Sequence, residues 1–150
     1  MINDRYLFRG KHIKTGDWVQ GYYCFVPAAY WYAYSREACD RHVIKHAVFD
    51  GGKSIRYEDV DPATIGQCTG LRDKNGTLIF EGDIISCRND LVFIGSVEWA
   101  HDLWVVRMFD ESRVPIHTLF GVLCCSAMEV IGNIHDNQDS DKTIERTDKS

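Results

Sequence analysis

The sequence predicts a mainly β protein of the α+β class, on three observations. Aromatic-rich, β-branched runs recur at short spacing, Gly, Asp and Asn separate them where tight turns are needed, and helix-start signals are scarce enough to allow at most one or two short helices. The chain has 150 residues, 45% hydrophobic and 26% charged, with a net charge of -5, the profile of an ordinary globular chain of one domain or two small ones. At this length folding buries roughly 68–70% of the surface of the extended chain, so a core can form without disulfide staples or structural metal. No run approaches the roughly 18 uninterrupted apolar residues of a membrane helix. Met1-Ile2-Asn3-Asp4-Arg5 has no basic segment leading into an apolar stretch, so the expected location is cytoplasmic, with no membrane contact.

The first part, residues 1–60, opens as a hairpin. Tyr6 to Lys14 and Trp18 to Val26 are β-prone, and Lys14-Thr15-Gly16-Asp17 joins them. The second run continues through Pro27 into Ala28-Ala29-Tyr30-Trp31-Tyr32-Ala33-Tyr34, an aromatic segment that suits a core strand, a hydrophobic loop packed under the hairpin, or an exposed partner surface. Ser35 can cap a short helix running toward His42. Val43 to Phe49 reads equally as a strand because β-branched residues dominate it, Asp50-Gly51-Gly52 as a turn, and Ile55 to Val60 as another strand.

Residues 61–135 form the second part. Asp61-Pro62 opens a turn, Thr64 to Leu71 is extended, and Asn75-Gly76 offers a hairpin connection before Leu78-Ile79-Phe80. Glu81-Gly82-Asp83 makes another turn. Ile84 to Cys87, Leu91 to Trp99, Trp104 to Phe109, Phe120 to Cys125 and Met128 to Ile134 follow as strands, a spacing that suits a small twisted barrel or a sandwich. Residues 136–150 hold almost no apolar side chain and read as a disordered tail.

Charge divides along the same line. Residues 1–60 hold nine Lys and Arg against seven Asp and Glu, a net of +2, while residues 61–150 hold eight against fifteen, a net of -7. A basic face can therefore lie only in the first part. Arg5, Arg9, Lys11 and Lys14 alternate with Tyr6 and Phe8, the mixture that phosphate contact and base stacking would use, or a solvated hairpin face.

The six cysteines, Cys24, Cys39, Cys68, Cys87, Cys124 and Cys125, include no C-x-x-C pair and read as reduced thiols. Cys39, His42 and His46 are the weak metal candidates. On a helix they would share one face and offer one sulfur and two nitrogens to zinc; on a strand the histidines share a face and Cys39 takes the other. A fourth ligand is not evident, and no metal or other cofactor is expected. The phosphate-loop, dinucleotide, nucleophile-elbow, zinc-protease and zinc-deaminase patterns are all missing, so no catalytic residue is assigned.

Six short stretches carry a resemblance. TIGQCTGLRDKNG from Thr64 to Gly76 is followed by IFEGDII from Ile79 to Ile85; YLFRGK from Tyr6 and TGDWVQG from Thr15 precede it; GSVEW from Gly95 and EVIGNIHDN from Glu129 come after. In this order they resemble the YopX family of phage and prophage proteins, from about residue 5 to 137. The resemblance implies a mostly β protein whose C-terminal part is a small SH3-like barrel, with no established activity. The shared Asp73 and Asp83 suit turn hydrogen bonds. Gln67, Thr69 and Arg72 are the motif side chains that turns explain least, and with Trp99 and Trp104 they form the candidate partner surface.

These readings favour a non-enzymatic accessory protein that binds a protein partner of phage or host, because the barrel part is acidic and repels phosphate. The alternatives are a nucleic-acid-binding regulator using the basic hairpin and a Cys/His metal-dependent enzyme. A homo-oligomer built on the Tyr30 to Tyr34 run is a further expectation.

Overall fold

Alternation of side chains across extended backbone, broken by turn residues, organises the whole chain. The computed structural model describes residues 4–28, 39–49, 53–88, 92–108, 110–116, 118 and 127–136. These hold eleven strands: β1 (Phe8–Lys11), β2 (Trp18–Val26), β3 (Arg41–Phe49), β4 (Lys53–Asp59), β5 (Gly66–Arg72), β6 (Leu78–Phe80), β7 (Asp83–Arg88), β8 (Val92–Ala100), β9 (Leu103–Met108), β10 (Arg113–Pro115) and β11 (Met128–Asn133). They pair as two antiparallel sheets, ordered β4-β3-β2-β1-β5-β6 and β10-β9-β8-β7-β11. Two 3-10 helices, Asp4–Tyr6 and Pro62–Thr64, are short. The chain divides into two units, Met1–Cys68 and Thr69–Ser150, so the boundary falls inside β5, eight residues beyond the expected break after Val60.

In the first unit β1 and β2 form the expected hairpin, with Phe8 opposite Gly21 and Lys11 opposite Trp18. β2 then pairs with β3, and β3 with β4 over seven residue pairs. The residues from Val43 to Phe49, ambiguous in the sequence, are strand, and the strand begins at Arg41. The helix expected from Ser35 and the aromatic run from Tyr30 to Tyr34 lie outside the described residues. Val43, Ile44, Val60 and Cys68 are buried here. Asp61 closes the unit's last turn: its Oδ1 accepts from the amide of Ala63 at 3.0 Å, and the Thr64 hydroxyl donates to its carbonyl at 2.7 Å.

The second unit is built on one apolar cluster of Ile79, Ile85, Cys87, Val97, Val106, Ile116, Ala127 and Met128, all buried. Alternation accounts for it, since Ile85 and Cys87 are two apart and share a side of their strand, and Val97 stands opposite Val106. At the β8–β9 hairpin Ala100 faces Leu103, and His101 and Asp102 both take left-handed φ, 51° and 62°, the requirement of a two-residue primed turn.

The described residues of the second part form an open sheet: β10 and β11 are its two edges, each with a single neighbour, and no barrel closes among these residues. Closure needs the outer strands to pair, a property of register and tilt that alternation in one strand does not contain. β10, Arg113–Pro115, was not foreseen because a proline marks edge positions more than strands. The expected Phe120 to Cys125 strand and residues 137–150 of the tail lie outside the described residues. No helix among those described is long and apolar enough to cross a membrane.

Candidate functional site

Pairing in the first unit sorts its side chains onto two faces, since residues opposite one another share a face. One carries Arg9 and Lys11 of β1, Trp18, Gln20 and Tyr22 of β2, Lys45 of β3 and Tyr57 of β4. The guanidinium of Arg9 lies 4.4 Å from the centre of the Trp18 ring, and the Lys11 ammonium 5.5 Å from it. Tyr22, Lys45 and Tyr57 form one row across three strands, with the Lys45 ammonium 5.9 Å from the Tyr57 ring. Of the four cations singled out in the sequence, Arg9 and Lys11 therefore come together. Arg5 sits in the first 3-10 helix and Lys14 in the β1–β2 turn. Lys45 and Tyr57 escaped sequence reasoning because only the β3–β4 register brings them to this face.

The opposite face holds the histidines. His42 stacks near Tyr23 at 5.9 Å and near Phe25 at 5.2 Å, and its Nδ1 lies 2.7 Å from the Tyr23 hydroxyl. Burial, reinforced by the neighbouring Cys24, raises the Tyr23 pKa. His46 points its Nε2 to Glu58 at 3.6 Å, and His12 reaches the other oxygen of that carboxylate at 3.4 Å. The amides of Lys14 and Thr15 donate to His12 Nδ1 at 3.3 and 3.2 Å, which fixes the proton of the neutral ring on Nε2, toward Glu58.

These positions do not unite the metal candidates. His42 and His46 are four residues apart on an extended strand, about 13 Å along it, whereas two nitrogens on one zinc stand about 2 Å from the metal. Cys39 is exposed ahead of the strand. No three His, Cys, Asp or Glu side chains among the described residues are grouped to hold a metal ion. Cys24 and Cys39 are exposed and Cys68 and Cys87 buried, all four as free thiols.

In the second unit, the motif side chains hydrogen-bond to backbone. Thr69 is buried, donating to the Ile79 carbonyl at 2.9 Å and accepting from the Leu71 amide at 3.1 Å. Arg72 donates to the Gly76 carbonyl at 2.8 Å. Gln67, still in the first unit, donates to the carbonyl of Arg5 at 3.0 Å. Burial keeps Thr69 from offering any surface, whereas the bonds of Gln67 and Arg72 lie exposed.

Asp73 and Asp83 do the same from carboxylates. Burial pushes the Asp73 pKa up, but the amides of Val130, Thr77 and Asn75 donate to its oxygens and hold it below its ordinary value. Asp83, fully buried, accepts from the Phe80 amide at 2.8 Å.

Trp99 and Trp104 face each other at the end of the β8–β9 hairpin, edge to face, with ring centres 4.9 Å apart. Trp104 packs against the core cluster, whereas Trp99 is 53% exposed. On the other side of this sheet the Glu98 carboxylate pairs with Arg107 at 3.5 Å and with Arg113, and Arg107 reaches Glu111 at 3.5 Å. A cavity of about 200 Å³ lies beside this network, lined by Ile84, Ile94, Ser96 and Met108 among others. It is smaller than the roughly 300–1,000 Å³ of sites that enclose small molecules, and its charges are already paired with one another.

The described residues thus define an antiparallel two-sheet β protein whose candidate sites are exposed aromatic side chains on rigid strands. The chain belongs to the YopX family: the family model described as YopX protein matches residues 8–139. No curated protein matches the chain. Among solved structures it is similar to protein EF1440 from Enterococcus faecalis, with 20% sequence identity over 87% of this chain and 93% of that one and a TM-score of 0.48.

Proposed function

We propose that this YopX-family chain is a phage or prophage accessory protein of the host cytoplasm that acts without catalysis, as a binding module for a protein partner. The observation that carries this reading is Trp99, half exposed yet braced at 4.9 Å by the core-packed Trp104 on a two-residue hairpin. Tryptophan is the strongest type of interface anchor, because it buries a large rigid area at the cost of two torsions. Bracing removes part of that cost before the partner arrives. The chemistry of the surroundings supports a protein over a nucleic acid here, since residues 61–150 carry fifteen acidic against eight basic side chains.

The test is quantitative capture from induced or infected host cells with wild-type protein and the Trp99→Ala variant in parallel. The proposal requires at least one protein retained by the wild type and lost from the variant, whose fold is verified by thermal melting. Identical captured sets would contradict it. Light scattering across concentrations shows whether the captured partner is a second copy of this chain.

A further inference from the structure

We propose that this chain pairs with a second copy of itself along the free edge of β4, the two strands running antiparallel about a two-fold axis at Ile55. The edge belongs to the first unit, and the pairing stands independently of the Trp99 hairpin.

The backbone of β4 is what the edge offers. β4 ends its sheet, with β3 as its one strand neighbour among the described residues. Antiparallel pairing sends the amides and carbonyls of alternate residues to opposite sides. The Val60 amide donates to the His42 carbonyl at 2.9 Å, so Val60, and with it Glu58, Arg56 and Ser54, turns its backbone toward β3. The Asp59 carbonyl accepts from the Ile13 amide at 3.0 Å on the other side, so Asp59, Tyr57, Ile55 and Lys53 turn theirs outward. Past Ile13 the chain turns back, the Gly16 amide donating to the His12 carbonyl at 2.9 Å. Asp59 is therefore covered, whereas the outward groups of Lys53, Ile55 and Tyr57 face no described strand.

β4 also lacks the devices that break or twist an edge. It contains neither proline nor glycine, and its seven pairs with β3 run in unbroken register. Ile55 and Tyr57 share one of its faces and are 57% and 56% exposed.

The free stretch specifies its occupant. Outward residues bond only to outward residues, so an antiparallel copy centres on Ile55, Arg56 or Tyr57. Centring on Arg56 or Tyr57 sets an incoming residue opposite Asp59, whose carbonyl Ile13 already holds. Centring on Ile55 sets Lys53 opposite Tyr57 at both ends and Ile55 opposite itself, and satisfies every outward amide and carbonyl of the stretch. On one face Ile55 then meets Ile55 of the second copy, with a Tyr57 beside each; on the other, Arg56 is set opposite Ser54. Apolar meets apolar, polar meets polar, and no carboxylate is set opposite another. A foreign strand would need the same length and alternation, which a second copy has by its own sequence. The contact is small beside a standard interface of about 1,600 Å² in total, so the dimer depends on concentration.

Sedimentation equilibrium of the full chain at concentrations up to about 1 mM tests this, and the wild type should pass from monomer to dimer. Ile55→Lys should weaken association by about tenfold or more, because like charges then face each other across the axis. Ile55→Pro removes an amide that points outward and none that bonds β3, so it should abolish the dimer while thermal melting shows the chain folded. Trp99→Ala should associate as the wild type does. In Ile55→Cys, oxidised glutathione should link position 55 to itself, since directly paired Cα atoms stand about 5.5 Å apart, within disulfide reach; peptide mapping identifies the bond. A monomer at every concentration, a dimer that survives both Ile55→Lys and Ile55→Pro, or no bond between the two positions 55 would each overturn the assignment. A dimer lost in Trp99→Ala would move the contact to the second unit.

Discussion

Asn133 donates its side-chain amide to the buried Asp83 carboxylate at 3.1 Å, tying the end of β11 to the turn that opens β7, fifty positions away. The other side-chain oxygen accepts from the Phe80 amide, and the group has no exposure to water. Removing it strands both donors. Asp83→Ala should cost about 3 kcal/mol and Asn133→Ala about 2 kcal/mol, read as a shift in urea midpoint at unchanged slope. A cost below 1 kcal/mol for Asp83→Ala would show that the turn is held by something else.

Asp73 gives the second unit a defined acid sensitivity. Its pKa is held below the ordinary 3.8 by three backbone amides, which outweigh burial. A carboxylate depressed by folding contributes stability above its unfolded pKa, and that contribution is lost as pH falls through the folded value. Asp73→Asn should therefore be less stable than wild type at neutral pH, and the two curves should converge below about pH 3.8. Parallel curves down to the lowest pH would contradict the role given to Asp73.

Two motif glycines should answer differently to the same change. A Cβ at Gly95 would lie 2.6 Å from Val106 Cγ1 and 2.7 Å from the Arg107 carbonyl oxygen, whereas one at Gly132 would meet nothing within 4 Å. Gly95→Ala should cost about 1–3 kcal/mol by overpacking, and Gly132→Ala under about 0.5 kcal/mol. Thermal melts of the pair suffice, and equal shifts would be inconsistent with the β8–β9 packing.

Local features were legible in the sequence where one short stretch carries the cause. Asn75-Gly76 announces its turn, and the strands from β1 to β9 fall close to the β-prone runs. The meaning of Asp83 was half legible: its turn position was clear, but its burial depends on Asn133, which no local pattern links to it. The candidate sites were least legible. Tyr22, Lys45 and Tyr57 are ordinary surface residues until β2, β3 and β4 pair in register. His42 and His46 looked like ligands only while the segment was allowed to be a helix. An open sheet and a barrel share the same alternation, so the closure implied by family resemblance was beyond what these residues encode individually.

The central claim is that exposed aromatic side chains, with Trp99 foremost, make this a binding protein. Site-specific photocrosslinking from position 99 in induced or infected host cells tests it most directly. A discrete crosslinked protein, absent when the photoreactive residue is moved to the buried, core-lining Val97, is the result the account predicts. No crosslink from position 99, with Trp99→Ala also matching wild type in captured proteins, would contradict it.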